Sequence, residues 1–343
     1  MNLKKLSDIV GLSQTTVSRA LNGYPEVSEA TRERVRKAAE KYNYAPNNRA
    51  RSLATGRTHA VGHVIPVSTE HEVVNPVFTD FIAGASEIYA RENYDMHLKI
   101  VPDAQEEQTY RDIALKGAVD AVIVHGPKDN DKRIELLRSI GMPFVVHGRS
   151  GGKGEDDYSW VDMNNARAFE RATDFLLDLG HRRIGLLNGL ESMDFALRRR
   201  LGYTASLTAR GIPEDPTICY SAEMTEEFGY NATSVMLQSD EPPTAFLASS
   251  IIIGIGVRRA CEEANLKLGR DVSLVIHDDD LSYLRNGTSE PIYTATRSSV
   301  RLAGRICADM LMRRIANPSA PPEHRLLDAE LIIGHTHGPA PKP

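Results

Sequence analysis

From Ala60 onward, apolar runs too short for an ordinary helix alternate with stretches of helical periodicity, and no other feature restricts the fold as much. Residues 61–65, 122–124, 144–146, 184–187, 245–248 and 272–276 are the clearest strand segments, nearly continuous in Val, Ile, Leu, Phe and Ala. Helical patterns follow at 164–179, 252–264 and 299–315. Strands without polar alternation are covered on both faces, so the pattern predicts parallel sheets sandwiched by helices. Two such units in succession predict a clamshell of two doubly wound lobes, with chain crossovers near residues 161, 291 and 323. Ligands of such sheets bind beyond the C-terminal ends of the strands.

Charge divides the chain at the point where this alternation begins. Residues 1–60 hold eleven Lys/Arg against five Asp/Glu, a net of +6, so the overall −5 leaves −11 on residues 61–343. A basic head attracts phosphate backbones, and an acidic body keeps the rest of the molecule off them. Within the head, Leu3, Leu6, Ile9 and Val10 define one face of a first helix, Gly11 permits a tight turn and Leu12 tucks inward. Ser13 then caps a second helix with Val17 and Leu21 inside and Gln14, Thr15, Thr16, Ser18 and Arg19 outside or at its end. Ser28 caps a third, whose Val35, Ala38, Ala39 and Tyr42 close a small core. The second helix of such a pair enters the major groove with its first residues nearest the bases.

The runs Leu12-Ser13-Gln14-Thr15-Thr16-Val17-Ser18-Arg19-Ala20-Leu21-Asn22, Val27-Ser28-Glu29-Ala30-Thr31-Arg32, Tyr44-Ala45-Pro46-Asn47 and Ala50-Arg51-Ser52-Leu53 resemble the lactose/galactose repressor (LacI/GalR) family. In the body, residues 174–185 carry a looser match around Gly180-His181-Arg182-Arg183, a helix-to-strand turn of architectural type. The resemblance implies an all-α helix-turn-helix DNA-binding head on an α/β body like a periplasmic binding protein, with two doubly wound parallel-sheet lobes. It assigns residues 1–45 to the head, 46–59 to a hinge helix and linker, 60–161 with 292–323 to a first lobe, and 162–291 with 324–339 to a second. It implies that Gln14, Thr15, Thr16 and Arg19 read the major groove and that Asn47, Arg51 and Leu53 contact DNA from the hinge. Leu53 matches the family's minor-groove wedge, a device that costs a few kcal/mol of unstacking and bends the duplex.

Polar and aromatic residues at strand ends form the candidate ligand set: Asn75 and Phe78, His125, His147 and Arg149, then Asp162 and Asn164 at a crossover. Phe195, Arg199 and Asp278 complete it from later strands, and Trp160 is placed to stack on a sugar face. Arg199 and Asp278 match effector-binding positions of the family. Where much of the family has an aspartate after the fifth apolar run, this chain reads Ser249-Ser250-Ile251, so Ser249 or Ser250 is expected to replace it. The stretch Val145-Val146-His147-Gly148-Arg149 resembles regulators of α-glucoside or α-galactoside uptake.

These readings predict a repressor of carbohydrate genes: a homodimer on pseudo-palindromic double-stranded operator DNA, which an effector closing the lobes either releases or, as a corepressor, tightens, release by a sugar being the expectation. No cofactor, metal or membrane is expected, and a cytoplasmic location follows from a start interrupted by Lys4, Lys5 and Asp8. Cys219, Cys261 and Cys307 read as packed thiols. An enzyme built on Asp278-Asp279-Asp280 and His277 is disfavoured, because consecutive extended residues point to opposite faces. A secreted sugar receptor would need a signal where the basic head stands. The Gly/Pro-rich tail from Gly334, with His335-Thr336-His337, reads as a disordered end without a coiled-coil heptad.

Overall fold

The computed structural model describes residues 1–21, 23–44, 56–66, 75–152 and 154–342, with all but the side chain of Asp103. Residues up to His59 and residues from Ala60 form two compact units. The expectations for Asn47, Arg51, Leu53 and the hinge helix lie outside the described residues.

The first unit contains α1 (Leu3–Val10), α2 (Gln14–Leu21) and α3 (Glu29–Lys41). Gly11 takes φ 63° after α1, which is the left-handed turn that glycine allows without strain. The Thr16 amide donates to Ser13 Oγ (3.1 Å) and the Thr31 amide to Ser28 Oγ (3.4 Å), closing the starts of α2 and α3. Leu6, Val17, Ala20, Val27, Val35 and Ala39 form the core. Ile9 and Tyr42, expected inside, are instead exposed, and Tyr44 takes the place beside the core intended for Tyr42.

The second unit holds two six-stranded sheets. The first comprises β1 (Ala60–Pro66), β2 (Asp95–Val101), β3 (Ala121–His125), β4 (Phe144–His147), β5 (Trp160–Met163) and β11 (His324–Leu327), in the order β11-β5-β4-β3-β1-β2. The second comprises β6 (Ile184–Asn188), β7 (Cys219–Ser221), β8 (Ala245–Ala248), β9 (Ser273–Asp278), β10 (Thr294–Arg297) and β12 (Glu330–Ile332), in the order β12-β10-β9-β8-β6-β7. Every pairing is parallel except β10 with β12. Both sheets repeat one doubly wound plan, with the switch points at β1/β3 and β6/β8. The helices are α4 (Pro76–Glu92), α5 (Glu106–Leu115), α6 (Lys132–Ser139), α7 (Asn165–Asp178), α8 (Asp194–Ala209), α9 (Glu226–Leu237), α10 (Ile251–Glu263) and α11 (Val300–Ala316).

All three crossovers fall later than expected. β5 runs through Met163 in the first sheet, β10 belongs to the second, and β11 pairs in parallel with β5. Burial is the physical reason: Thr294 and Thr296 are fully inside between β9 and the tail, so the chain completes that strand before crossing. The tail is ordered, contrary to the sequence expectation. The Leu274 amide donates to Thr336 O (2.7 Å), Thr336 Oγ1 to Leu274 O (2.7 Å) and His181 bonds Gly338 O (3.1 Å). His181 also bonds Thr244 and Ser273, so the helix-to-strand turn anchors three segments of the second lobe.

Candidate functional site

A cleft of about 480 Å³ lies between the two sheets, walled by segments that follow the C-terminal ends of their strands. Asn75 to Phe78 come after β1, His125 ends β3 with Gly126 and Pro127 following, His147 ends β4, and Asp162 is the last residue but one of β5. From the second lobe come Phe195 after β6, residues 222–227 after β7, His277 from β9 and Asp279 directly after it.

Arg199 is the fixed point of the second wall. One turn into α8 it is buried between the rings of Phe169 and Phe195, at 5.2 and 5.0 Å. Its Nε donates to Asn165 Oδ1 (2.8 Å) and its Nη1 to Ser249 O (2.7 Å), which leaves Nη2 with no partner among the described residues. Burial pulls its pKa down only to about 10, so the guanidinium stays charged. Burial alone would raise the Asp279 carboxyl, but the adjoining His277 and the charge of Arg199 bring it below the ordinary range. His277 Nε2 stands 3.3 Å from Asp279 Oδ1 without hydrogen-bonding alignment, while its Nδ1 meets Thr296 Oγ1 at 3.2 Å. The Asp279 carboxylate therefore remains an available acceptor at the cleft.

The first wall is aromatic and neutral. His125 packs against the edges of Phe78 and Phe81 at 5.1 and 4.9 Å, and His147 lies 4.3 Å from the Phe81 ring. Burial holds His147 down at about 4 and His125 well below its ordinary value, so both are uncharged imidazoles at neutral pH. Asn75 caps α4 through the Val77 amide (3.0 Å), using its carbonyl oxygen and keeping its NH2 donors.

Burial lifts the Asp162 carboxyl to about 6 from an ordinary 3.8, against the pull of Arg149. A raised folded-state value means that the folded chain binds this proton more tightly. Its contribution is fully present below about pH 4 and is lost as pH rises through about 6. Asp162→Asn is expected to flatten the corresponding part of the stability profile in calorimetry between pH 4 and 6. An unaltered profile would contradict the burial account.

Comparison with known proteins decides the family. A model described as "Bacterial regulatory proteins, lacI family" matches residues 2–47, and one for a periplasmic binding protein-like domain matches residues 173–337. The HTH-type transcriptional regulator AglR of Rhizobium meliloti (strain 1021) is 43% identical over 343 residues, covering 99% of this chain and 95% of that protein. The chain belongs to the lacI family of bacterial regulatory proteins. It is thus a DNA-binding transcriptional regulator, from a family that is not enzymatic. The HTH-type transcriptional regulator RafR of Escherichia coli is 33% identical, with 94% of each chain covered. Among solved structures, a transcriptional regulator CelR–cellobiose complex is 26% identical with a TM-score of 0.73, covering 98% of this chain and 99% of that one.

In this lacI-family regulator, Asn75, Phe78, His125, His147, Asp162, Phe195 and Arg199 line the cleft. Five other expected residues do not. Asp278 turns away to Arg297 (3.0 Å) and caps the Asp280 amide, and its neighbour Asp279 takes the cleft position. Asn164 is spent capping α7 and bonding Asp328, so Asn165 lines the cleft instead. Arg149 pairs with Asp162 (2.8 Å) from behind, and Trp160 is sandwiched between Arg149 (4.9 Å) and His324 (5.0 Å), with no face left for a sugar. Ser249 is buried against Asn188 Oδ1 (2.7 Å), and only its carbonyl acts, through Arg199. Phe81, Met193 and Met224 were missed in the sequence, and His277 was weighed there only for an enzyme reading.

In the head of this regulator, Gln14, Thr15 and Arg19 are exposed on α2. Thr16 is half-buried, its hydroxyl paired with Ser13 Oγ (2.8 Å), and Arg19 stands 3.6 Å from Glu26. Among the described residues no group of three His, Cys, Asp or Glu side chains is placed to hold a metal ion, and no helix is long and apolar enough to cross a membrane.

Proposed function

We propose that this regulator is a repressor of carbohydrate uptake or catabolism genes whose operator affinity is lowered by a sugar bound between the two lobes. The observation that carries the reading is the composition of the cleft. A buried charged Arg199 and the Asp279 carboxylate stand on one wall, neutral imidazoles on the other, and Phe78, Phe81 and Phe195 supply apolar faces. Directed donors and acceptors beside aromatic faces suit the alternating hydroxyls and C–H faces of a neutral saccharide. The cellobiose named in the CelR structure supports the ligand class, and an α-glucoside or α-galactoside is the narrower expectation. Because Trp160 is taken, stacking falls to the phenylalanines.

On the DNA side, Gln14 and Thr15 at the start of α2 are assigned to base edges, and Arg19 to a base or phosphate. A single head reads half a site, so two copies about 34 Å apart on a pseudo-palindrome form the working unit. Closure of the lobes around sugar shifts the first lobes of the pair against each other. A differential of about 1–3 kcal/mol changes operator affinity roughly five- to a hundredfold.

The test is a thermal-shift panel of maltose, melibiose, cellobiose, raffinose and their monosaccharides on the full chain. At least one sugar is expected to raise the melting temperature, and a flat panel would remove the sugar reading. Gln14→Ala is expected to weaken binding to the upstream region about tenfold or more in gel shifts while changing random-DNA binding little, since a good base contact contributes about 1–3 kcal/mol of discrimination. Equal loss on both DNAs would contradict base readout.

A further inference from the structure

Behind the first wall of the cleft runs a buried line of three side chains, of which the effector reading uses only the outermost, His125. Tyr89 Oη lies 3.0 Å from His63 Nε2, and His63 Nδ1 lies 2.9 Å from His125 Nε2. Tyr89 and His63 are 2% and 0% exposed, and only His125 reaches the cleft. The two imidazole rings stack at 5.2 Å, and the Phe78 and Phe81 edges hold the outer ring in place.

Burial keeps all three groups neutral: His63 falls to about 3, His125 well below its ordinary value, and the Tyr89 phenol rises well above its own. A neutral imidazole carries one N–H, so the line can be polarised in only two ways. If it runs inward, the Tyr89 hydroxyl proton is idle and His125 Nδ1 is a bare acceptor, because neither atom has another partner among the described residues. That leaves two buried groups unmet. If it runs outward, Tyr89 O–H donates to His63 Nε2 and His63 Nδ1–H donates to His125 Nε2. Only His125 Nδ1–H is then unmet. Since buried polar groups without partners carry their full desolvation penalty, hydrogen-bond accounting assigns the outward direction.

We propose that Tyr89 and His63 are positioning residues that lock His125 as its Nδ1–H tautomer, so that the imidazole lining the first wall meets the effector in one fixed orientation and one protonation form. This rests on the cleft being the effector site, as proposed above.

The test is two-bond 1H–15N correlation of the full chain labelled at histidine, without ligand, with His125 assigned through its loss in His125→Asn. Both His63 and His125 are expected as Nδ1–H tautomers, although free imidazole side chains favour Nε2–H. In Tyr89→Phe, a residue that does not touch the cleft, the His125 signature is expected to move to a tautomer mixture. Affinity for the sugar found in the panel is expected to fall about tenfold, with DNA affinity kept. An Nε2–H His125 in the wild-type chain overturns the proposal whether or not the variant folds. So does a Tyr89→Phe protein with an unchanged His125 signature. If no sugar binds but the tautomers are as stated, the relay stands and the sugar reading fails.

Discussion

Arg199→Leu is expected to reduce affinity for the responding saccharide by about a hundredfold or more, while the protein still binds its upstream DNA. Hydrogen bonds from charged groups contribute about 1.5–3 kcal/mol each, and Arg199 is the buried cation on the second wall with an edge left over for ligand. The substitution also removes the guanidinium from Asn165 Oδ1 and Ser249 O and strips the neighbouring positive charge from Asp279. Arg199→Lys should recover only part of the affinity, because an ammonium cannot span both anchors and still face the cleft. Isothermal calorimetry with circular dichroism as a folding check separates the effects. A folded Arg199→Leu protein whose sugar affinity stays within threefold of wild type would reduce Arg199 to an internal strut.

The second large effect is structural. α4 and α11 cross with their backbones nearly touching: a Cβ on Gly304 would fall 2.2 Å from Phe81 O, and one on Gly84 would fall 2.0 Å from Arg301 O. These obstacles are main-chain atoms of a packed helix and cannot rotate aside. Gly304→Val is therefore expected to destabilise the body by about 3 kcal/mol, at the upper end of overpacking in a dense core, and to lower the melting temperature by several degrees. The same helix carries the exposed Leu302, where Leu302→Ala should stay within about 0.5 kcal/mol of wild type. A Gly304→Val protein that melts within a degree of the parent would show that the two helices have room to part. Because Phe81 lies beside His125 and His147, a milder Gly304→Ala is expected to disturb sugar binding as well as stability.

How much of this was legible in the chain depended on burial. β3, β8 and β9 are inside along their whole length, and their apolar runs announced them. β2 is an edge strand exposed through Ile100, with Asp95, His97 and Lys99 interleaved among Met96, Leu98 and Ile100, so it carried no continuous apolar run. β10, β11 and β12 are three or four residues each and mix Thr, Arg, His and Glu. Missing them moved the two later crossovers to earlier residues.

The ligand set shows the same limit at the scale of one residue. Strand ends could be recognised, but successive side chains of a strand face opposite ways, so an error of one position exchanges cleft for interior. Asp278, the last residue of β9, and Asp279 directly after it face apart in this way, and at the start of α7 the capping Asn164 likewise leaves the cleft to Asn165. Trp160, Arg149 and Ser249 have suitable chemistry, but their hydrogen bonds and stacking partners come from segments distant in sequence, His324 above all, and no local pattern reveals them. The head was more readable because its caps, turn glycine and inner stripe are local devices within forty residues.

The central claim is that occupancy of the cleft is felt by the DNA-binding head. Its most direct test is fluorescence anisotropy of a labelled fragment from the upstream region, titrated with the full chain with and without a saturating saccharide that calorimetry shows to bind. The account predicts a five- to hundredfold weaker operator affinity in the presence of sugar, no such change on random DNA, and loss of the effect in Asp279→Ala. A saccharide that binds the wild-type protein tightly and leaves its operator curve unmoved would contradict it.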